Sequence, residues 1–200
     1  MFLYMLIIIA TMIILSIVNI CMGSVVWGLS PWLVFIPITI CVLFEFAIDG
    51  LFAFITSKYP KRWFRKDKKV FQVGGFERKF LNLIKVKKWK DQVWELGGLG
   101  GFKKDKIYNV NDVNYIERFI LESNIGVIVH YNGVVFGLLV IFLVPFRFLF
   151  TISLPIACVN ILLNLMSIAV LRYNIPKLLV ALKRSERNKL KNNEKGNAIS

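Results

Sequence analysis

The stretch from residue 2 to residue 44, FLYMLIIIATMIILSIVNICMGSVVWGLSPWLVFIPITICVLF, contains no Asp, Glu, Lys or Arg. A helix needs about 20 apolar residues to cross the hydrocarbon core of a bilayer, so this stretch is nearly long enough for two crossings. Gly, Ser and Pro at 22–31 predict a short turn between them. We therefore expect transmembrane helices over about 2–22 and about 32–55.

Two further apolar segments follow a long basic one. The apolar residues over about 125–144 and 148–171 predict a third and a fourth span. The segment 58–122 between spans 2 and 3 holds 17 Lys and Arg against 8 Asp and Glu. Its bases alternate with Phe, Leu, Ile and Trp, a pattern typical of helices that lie in the headgroup region. The predicted fold is an all-α membrane protein, a single domain over 1–200, with four transmembrane helices and a basic amphipathic cytoplasmic or interfacial segment.

The formal net charge of +14 is strongly segregated along the chain. The short connections at 22–31 and 145–147 contain one basic residue, Arg147, whereas the segment 58–122 and the basic tail 172–200 contain 25 of the 26. The positive-inside rule then predicts a multi-pass protein of the cell membrane with both termini in the cytoplasm. Anionic lipid headgroups are the nearest counter-ions, so we expect membrane lipids and no nucleic acid as partners.

The sequence contains no zinc motif, P-loop or dinucleotide fingerprint. The cysteines, Cys21, Cys41 and Cys158, lie in apolar segments without the spacing of metal ligands. They are odd in number, which argues against a disulfide framework. We therefore expect no bound metal and no nucleotide cofactor.

His130 is the one histidine of the chain and lies about five residues into the third predicted span. An ionisable residue at that depth is either functional or a neutral side chain packed against a neighbouring helix, and its position favours neither. A histidine base needs an acceptor on its second nitrogen. Glu122 is about 12 Å away along a straight helix, so we expect a carboxylate of the second span, Asp49 ahead of Glu45, to be the partner. The alternative is an ion pair of Asp49 with Arg172 or of these carboxylates with a loop lysine.

Three motifs in the second half of the chain resemble one family. "VKKWKDQVWELGG" from Val86 resembles the "RxWKDxLPExG" motif of the glycosyl-4,4'-diaponeurosporenoate acyltransferase family. "IERFILESNIGVIVHY" at 116–131 is similar to its "ETxRAExxHW" element, and "LRYNIPKL" at 171–178 is similar to "QRYNRPRL". Asn160 and Asn164 also stand where the family has asparagines. The family consists of small membrane proteins of carotenoid biosynthesis that transfer a fatty acyl group to a sugar hydroxyl of a glycolipid.

The resemblance implies an acyltransferase that acts on a hydroxyl of a lipid or glycolipid acceptor, with His130 as the general base. It implies Glu122 and Glu95 as further polar residues of the catalytic site. The substrate-binding residues that it implies are Trp89, Lys90, Asp91, Arg172, Tyr173 and Asn174.

The acyl donor of such a reaction is acyl-CoA or an acyl carrier protein, both of which are anionic. A lysine-rich surface attracts an anionic donor. The lysines expected to form it over the active site are Lys87, Lys88, Lys90, Lys103, Lys104 and Lys106.

Two other functions compete with acyl transfer. One is a non-enzymatic four-span accessory or scaffold protein that binds anionic lipid or a membrane partner through its basic cytoplasmic face, with His130 as a packing residue. The other is a different membrane enzyme of lipids or isoprenoids, such as a reductase or methyltransferase. A nucleotide-cofactor signature would favour the second, and the sequence contains none.

Overall fold

The computed structural model describes residues 2–22, 30–93, 109 and 112–197. These residues form helices and turns, and the described ranges contain no strand. The α-helices are α1 (Phe2–Met22), α2 (Pro31–Ser57), α3 (Gly75–Leu83), α4 (Val86–Trp89), α5 (Val113–Gly137) and α6 (Leu154–Asn197). The short 3-10 turns are Lys61–Phe64, Lys69–Phe71, Lys90–Gln92, Leu138–Phe142 and Phe146–Phe148, and Leu149–Ser153 is a single π-helical segment.

Four helical segments among the described residues are long and apolar enough to cross a membrane. They are Tyr4–Met22, Leu33–Ser57, Val113–Phe142 and Phe146–Lys191. The prediction of an all-α membrane protein with four such helices is confirmed, and the protein is a multi-pass membrane protein.

The third and fourth helices are longer than the apolar pattern alone indicates. Helix α5 begins at Val113 because Asp112 caps it: its Oδ1 accepts hydrogen bonds from the backbone N–H of Asn114 (2.9 Å) and of Tyr115 (3.2 Å). An Asp that accepts from the first-turn N–H groups is a strong helix start. Helix α6 continues to Asn197 through the basic tail, whose many Lys, Arg and Leu residues have high helix propensity.

The chain divides into two compact units, and α5 and α6 each contribute to both. The first, here called the membrane unit, comprises α1, α2, the part of α5 from Ile128 and the part of α6 up to Ile168. Its buried core is almost entirely aliphatic and includes Leu15, Val34, Ile38, Cys41, Val140, Phe148, Ile152, Ile156 and Ala157. Large apolar side chains of α1 and α2 are exposed, as expected for surfaces that face lipid, among them Ile9, Ile13, Ile17, Leu43, Leu51 and Phe54.

A buried asparagine fastens α1 within this unit. Asn19 is fully buried, and its Nδ2 donates to the backbone oxygens of Leu15 and Thr151, both at 2.8 Å. Thr151 lies in the π-helical segment, where the normal i to i−4 ladder is interrupted and carbonyl groups become available. The amide thus satisfies a backbone group that lipid could not satisfy.

The second unit, here called the basic unit, comprises residues 59–91, the part of α5 up to Val127 and the part of α6 from Ala169, together with residues that the structure does not describe. Its core packs Ile116, Phe119 and Ile120 of α5 against Leu178 and Leu182 of α6. The segment 59–91, here called the connecting segment, is held to α5 by a buried amide, because Asn124 Nδ2 donates to the backbone oxygen of Phe64 at 2.8 Å.

A buried arginine joins the connecting segment to α6 in the basic unit. Arg172 is 8% exposed, and its guanidinium binds both carboxylate oxygens of Glu77. It also donates to the backbone oxygens of Val70 (2.7 Å) and Gln72 (3.2 Å). Charge-assisted hydrogen bonds, and bidentate arginine–carboxylate pairs above all, are stronger than hydrogen bonds between neutral groups. Arg172 therefore holds the residues before α3 in place.

Replacing Arg172 with Met should destabilise the protein by roughly 2–4 kcal/mol, because Glu77 and two carbonyl groups lose their donor. The measurement is thermal unfolding of the detergent-solubilised full chain. Lys66→Met is the matched control. Lys66 Nζ lies 2.8 Å from Glu117 Oε1, but both side chains are largely exposed, so that change should cost less than about 1 kcal/mol. Equal losses for the two variants would contradict the role given to Arg172.

Candidate functional site

The membrane-unit part of α5 presents His130, which is half-buried. Its Nδ1 lies 2.8 Å from Oδ1 of Asn164 on α6. The contact joins two long helices through a polar pair within a largely apolar unit. Hydrogen bonds in such surroundings are not exposed to competition from bulk water, so a single pair can fix the orientation of a ring.

The orientation of the Asn164 amide follows from its other contacts. Its Nδ2 donates to the backbone oxygen of Asn160 (3.2 Å) and to Asn160 Oδ1 (2.8 Å). Because the nitrogen side of the amide is used for donation, the oxygen side is the acceptor that faces His130. Nδ1 of His130 then carries the ring hydrogen, and the neutral ring keeps its lone pair on Nε2. A histidine in this tautomer is able to take a proton through Nε2.

The amide chain ends on the backbone of α5. Asn160 Nδ2 donates to the backbone oxygen of Gly133 at 3.2 Å. The series from His130 through Asn164 and Asn160 to Gly133 is therefore a chain of hydrogen bonds that begins and ends on α5 and passes through α6. Each amide group in it has a partner, which is the condition for a buried polar network to be stable in a medium without water.

Two glycines make this close approach possible. A Cβ placed on Gly133 would lie 2.7 Å from Asn164 Oδ1 and would overlap with Asp49 Oδ1. A Cβ placed on Gly137 would lie 2.7 Å from Glu45 Oε2 and would overlap with an atom of Asn160. Any side chain at either position would displace a polar group of α2 and of α6. The pair forms a G-x-x-x-G motif, which in membrane helices allows neighbouring helices to come close together.

The two carboxylates of α2 face the same region of α5. Glu45 is 7% exposed, and neither of its carboxylate oxygens has a hydrogen-bond partner among the described residues. Asp49 interacts with the side chain of Asn164, although its buried Oδ1 has no hydrogen-bond partner in the described part of the chain. Both acids line a cavity of about 40 Å³ within the membrane unit.

The hydrogen-bond acceptor of His130 Nδ1 described above is the amide oxygen of Asn164 and not a carboxylate. Asp49 reaches the same amide, because Asn164 interacts with both side chains. The expectation that Asp49 or Glu45 lies within hydrogen-bond reach of the ring stays a prediction. Arg172, the alternative partner of Asp49, forms its ion pair with Glu77.

The other residues implied by the resemblance belong to the basic unit or lie outside the described residues. Trp89 Nε1 donates to the Ile84 backbone oxygen at 3.0 Å. Lys90 Nζ lies 2.7 Å from the neighbouring Asp91 carboxylate. Glu95 is outside the described ranges, as are Lys103, Lys104 and Lys106.

The remaining motif residues of α5 and α6 have local environments of their own. Lys177 Nζ lies 3.6 Å from the centroid of the Tyr173 ring, a cation–π contact one turn along α6. Asn174 and Glu122 are half-buried. Within the described residues no group of three or more His, Cys, Asp or Glu side chains is arranged to hold a metal ion.

Sequence reasoning missed the role of the glycines and the connection between the asparagines. The motif GVVFG at 133–137 is a G-x-x-x-G pattern in an apolar segment, which indicates close packing of that helix against a neighbouring helix. Asn160 and Asn164 are four residues apart and therefore share one face of a helix. What the sequence could not indicate is that this face meets His130, since that contact joins residues 34 apart in the chain.

Comparison with known proteins gives one family. No curated protein sequence and no solved structure matches the chain. The model of the family described as glycosyl-4,4'-diaponeurosporenoate acyltransferase matches residues 60–184. The match contains the three resembling motifs, together with His130 and both asparagines, and it covers more than half of the chain. The chain therefore belongs to the glycosyl-4,4'-diaponeurosporenoate acyltransferase family.

Proposed function

We propose that this protein is an integral-membrane acyltransferase that moves a fatty acyl group onto a hydroxyl of a lipid or glycolipid acceptor, with His130 as the general base. Membership of an acyltransferase family supports the reaction class. The observation that carries the choice of base is the 2.8 Å contact between His130 Nδ1 and Asn164 Oδ1. An imidazole held by an amide oxygen is the arrangement of the Cys–His–Asn group of papain-like proteases.

The proposed chemistry uses Nε2 of the His130 ring. Nε2 takes the proton of the acceptor hydroxyl as its oxygen attacks the carbonyl carbon of the acyl donor. The carbon–sulfur bond of a thioester donor then breaks, and the imidazolium returns the proton to the departing thiolate. Asn164 keeps the Nδ1 hydrogen in place throughout, so the lone pair stays on Nε2.

The proposed donors are acyl-CoA and acyl carrier protein. Both are anionic, and the described lysines of the segment before residue 94 include Lys87 and Lys88, which are exposed. An exposed basic surface raises the local concentration of an anionic donor and speeds its encounter with the protein. The family name supports a glycosylated carotenoid acid as the acceptor, and membrane lipids are the proposed surroundings.

Among the motif residues of the basic unit, we assign different tasks to Arg172 and its neighbours. The guanidinium of Arg172 is engaged with Glu77 and two carbonyl groups, which supports a structural role rather than contact with substrate. Tyr173 and Asn174 remain proposed substrate contacts. The further residues proposed for polar or interfacial contacts are Glu122, Glu95, Trp89, Lys90 and Asp91.

The His130→Ala variant should lose acyl transfer while remaining in the membrane, because a lost general base costs about 10²–10⁴ in rate. Lipid mass spectrometry of cells with and without the gene identifies the product, which is heavier by one acyl chain. The same product is then quantified for the variant at matched protein level. A rate above about a tenth of that of the unmodified protein would contradict the assignment of His130. Absence of such a product from cells that carry the gene would favour the non-enzymatic alternative.

Asn164→Leu should lower the rate by about 10- to 100-fold, less than loss of the base itself, because the ring loses its acceptor but keeps its nitrogen. Asn164→Asp should restore part of that rate. Its carboxylate stabilises the imidazolium, so the acidic limb of the pH–rate profile should move to higher pH.

Asn19→Leu is the matched control for a buried intramembrane asparagine, since Asn19 bonds only to backbone oxygens in the contacts described above. It should change thermal stability and leave the pH–rate profile in place. If all three variants lose rate in proportion to stability and none moves the profile, Asn164 does not position the base.

The proposed localisation is the cell membrane with both termini in the cytoplasm, since 25 of the 26 basic residues then fall on one side. In a background without Cys21, Cys41 and Cys158, single cysteines at Ser57 and Ser24 should be labelled by an impermeant maleimide from opposite sides. Ser57 ends α2 and Ser24 precedes it. Labelling of both from the same side would contradict the four-span topology.

A further inference from the structure

The cavity of the membrane unit has an unusual balance of polar groups. It holds about 40 Å³ and is lined by side chains of α1, α2 and α6. Its polar lining residues are Tyr4, Thr11, Glu45, Asp49 and Asn160, and the others are apolar. A volume of this size accommodates one water molecule or one small ion.

Most of the polar atoms that line the cavity are acceptors, and the donors among them are the hydroxyl groups of Tyr4 and Thr11 and the amide nitrogen of Asn160. Both carboxylate oxygens of Glu45 and Oδ1 of Asp49 are buried and have no hydrogen-bond partner among the described residues. Thr11 Oγ1 donates its hydrogen to the Ile7 backbone oxygen at 2.7 Å, so toward other groups it can act only as an acceptor. Asn160 Nδ2 donates to Gly133. The ligand that complements such a wall is a donor or a cation.

The charges around the cavity are of one sign. The described lining residues include neither Lys, Arg nor His. The titratable side chains facing Glu45 are Asp49 and Cys41 of its own helix, and Tyr4 of α1 faces Asp49. Helix α5 faces the two acids with glycines, and α6 contributes asparagines. Two buried carboxylates in the interior of a bilayer cannot keep two negative charges without a counter-ion.

We propose that the cavity of the membrane unit binds one small positive charge, a proton or a sodium ion, between Glu45 and Asp49. Carboxylate, amide and hydroxyl oxygens are the ligands that hard cations prefer, and membrane proteins bind sodium ions and protons at such oxygen-lined sites near the bilayer midplane. The proposal is separate from the proposed acyl transfer, because it concerns occupancy of the cavity and its test needs no substrate.

The site is connected to the chain of hydrogen bonds that begins at His130 through Asn160, which lines the cavity and accepts from Asn164. A bound positive charge removes the net negative potential that the acids would otherwise exert on the imidazole.

Carbodiimide labelling tests the proposal directly. Dicyclohexylcarbodiimide reacts with a protonated carboxyl group in an apolar environment, and mass spectrometry locates the adduct. The full chain in lipid nanodiscs is labelled at pH 7 in choline chloride and, at equal ionic strength, in sodium chloride. The thermal unfolding midpoint is measured in the same two salts, since a ligand that binds only the folded state raises it.

An adduct on Glu45 or Asp49 in choline chloride that is unchanged in sodium chloride shows a held proton. An adduct that forms about tenfold more slowly in sodium chloride, or a midpoint raised by sodium alone, shows a sodium ion, by the competition and mass-action relations of a bound ligand. Absence of any adduct on either acid together with equal midpoints in the two salts would overturn the proposal.

The control variants separate this site from other carboxylates. The double variant Glu45→Gln, Asp49→Asn should lose both the adduct and any effect of sodium. Glu117→Gln removes a carboxylate of the basic unit whose side chain is 47% exposed, and it should leave both readouts unchanged. An adduct that survives in the double variant would place the reacting carboxyl elsewhere.

Discussion

The contact on which the rest of the proposed site depends is the hydrogen bond between His130 and Asn164. It lies where α5 and α6 approach each other closely, beside Gly133 and Gly137, where an added Cβ would have to displace polar side chains. In water such a polar contact would exchange with solvent at little cost. In the membrane unit each buried polar group that loses its partner costs free energy, so the asparagines, the histidine and the Gly133 carbonyl are coupled to one another.

Much of the fold was accessible to sequence reasoning, and the reason is physical. A bilayer requires long apolar helices, so the charge-free residues 2–44 and the two later apolar segments predict the four helices that the structure contains. The helix ends were less accessible. Val113 as the start of α5 depends on the Asp112 cap, and the length of α6 depends on helix propensity in a charged segment, neither of which is visible in hydropathy.

The candidate site was accessible only in part. His130 could be singled out because it is the one histidine of the chain and lies in an apolar span. Sequence reasoning considered carboxylates as its partner and did not consider the amide of Asn164. Electrostatic reasoning favours a carboxylate beside a histidine base, whereas an amide oxygen provides the orientation without adding a second buried charge. The Arg172–Glu77 pair was inaccessible for a different reason. Its partners are 95 residues apart, and no local pattern indicates which of several acids meets which of many bases.

The residues of the two proposed sites lie in different parts of the chain relative to the family match. Residues 60–184 contain His130, Asn160, Asn164 and Arg172, whereas Glu45 and Asp49 lie in α2, outside the match. The groups proposed to handle the acyl transfer thus lie in the matched part, and the acids proposed to hold a positive charge are supplied by the part that precedes it. Gly133 and Gly137 are where the two meet, because their missing side chains admit both the acids of α2 and the amides of α6. The same pair of glycines therefore serves two sites with different chemistry.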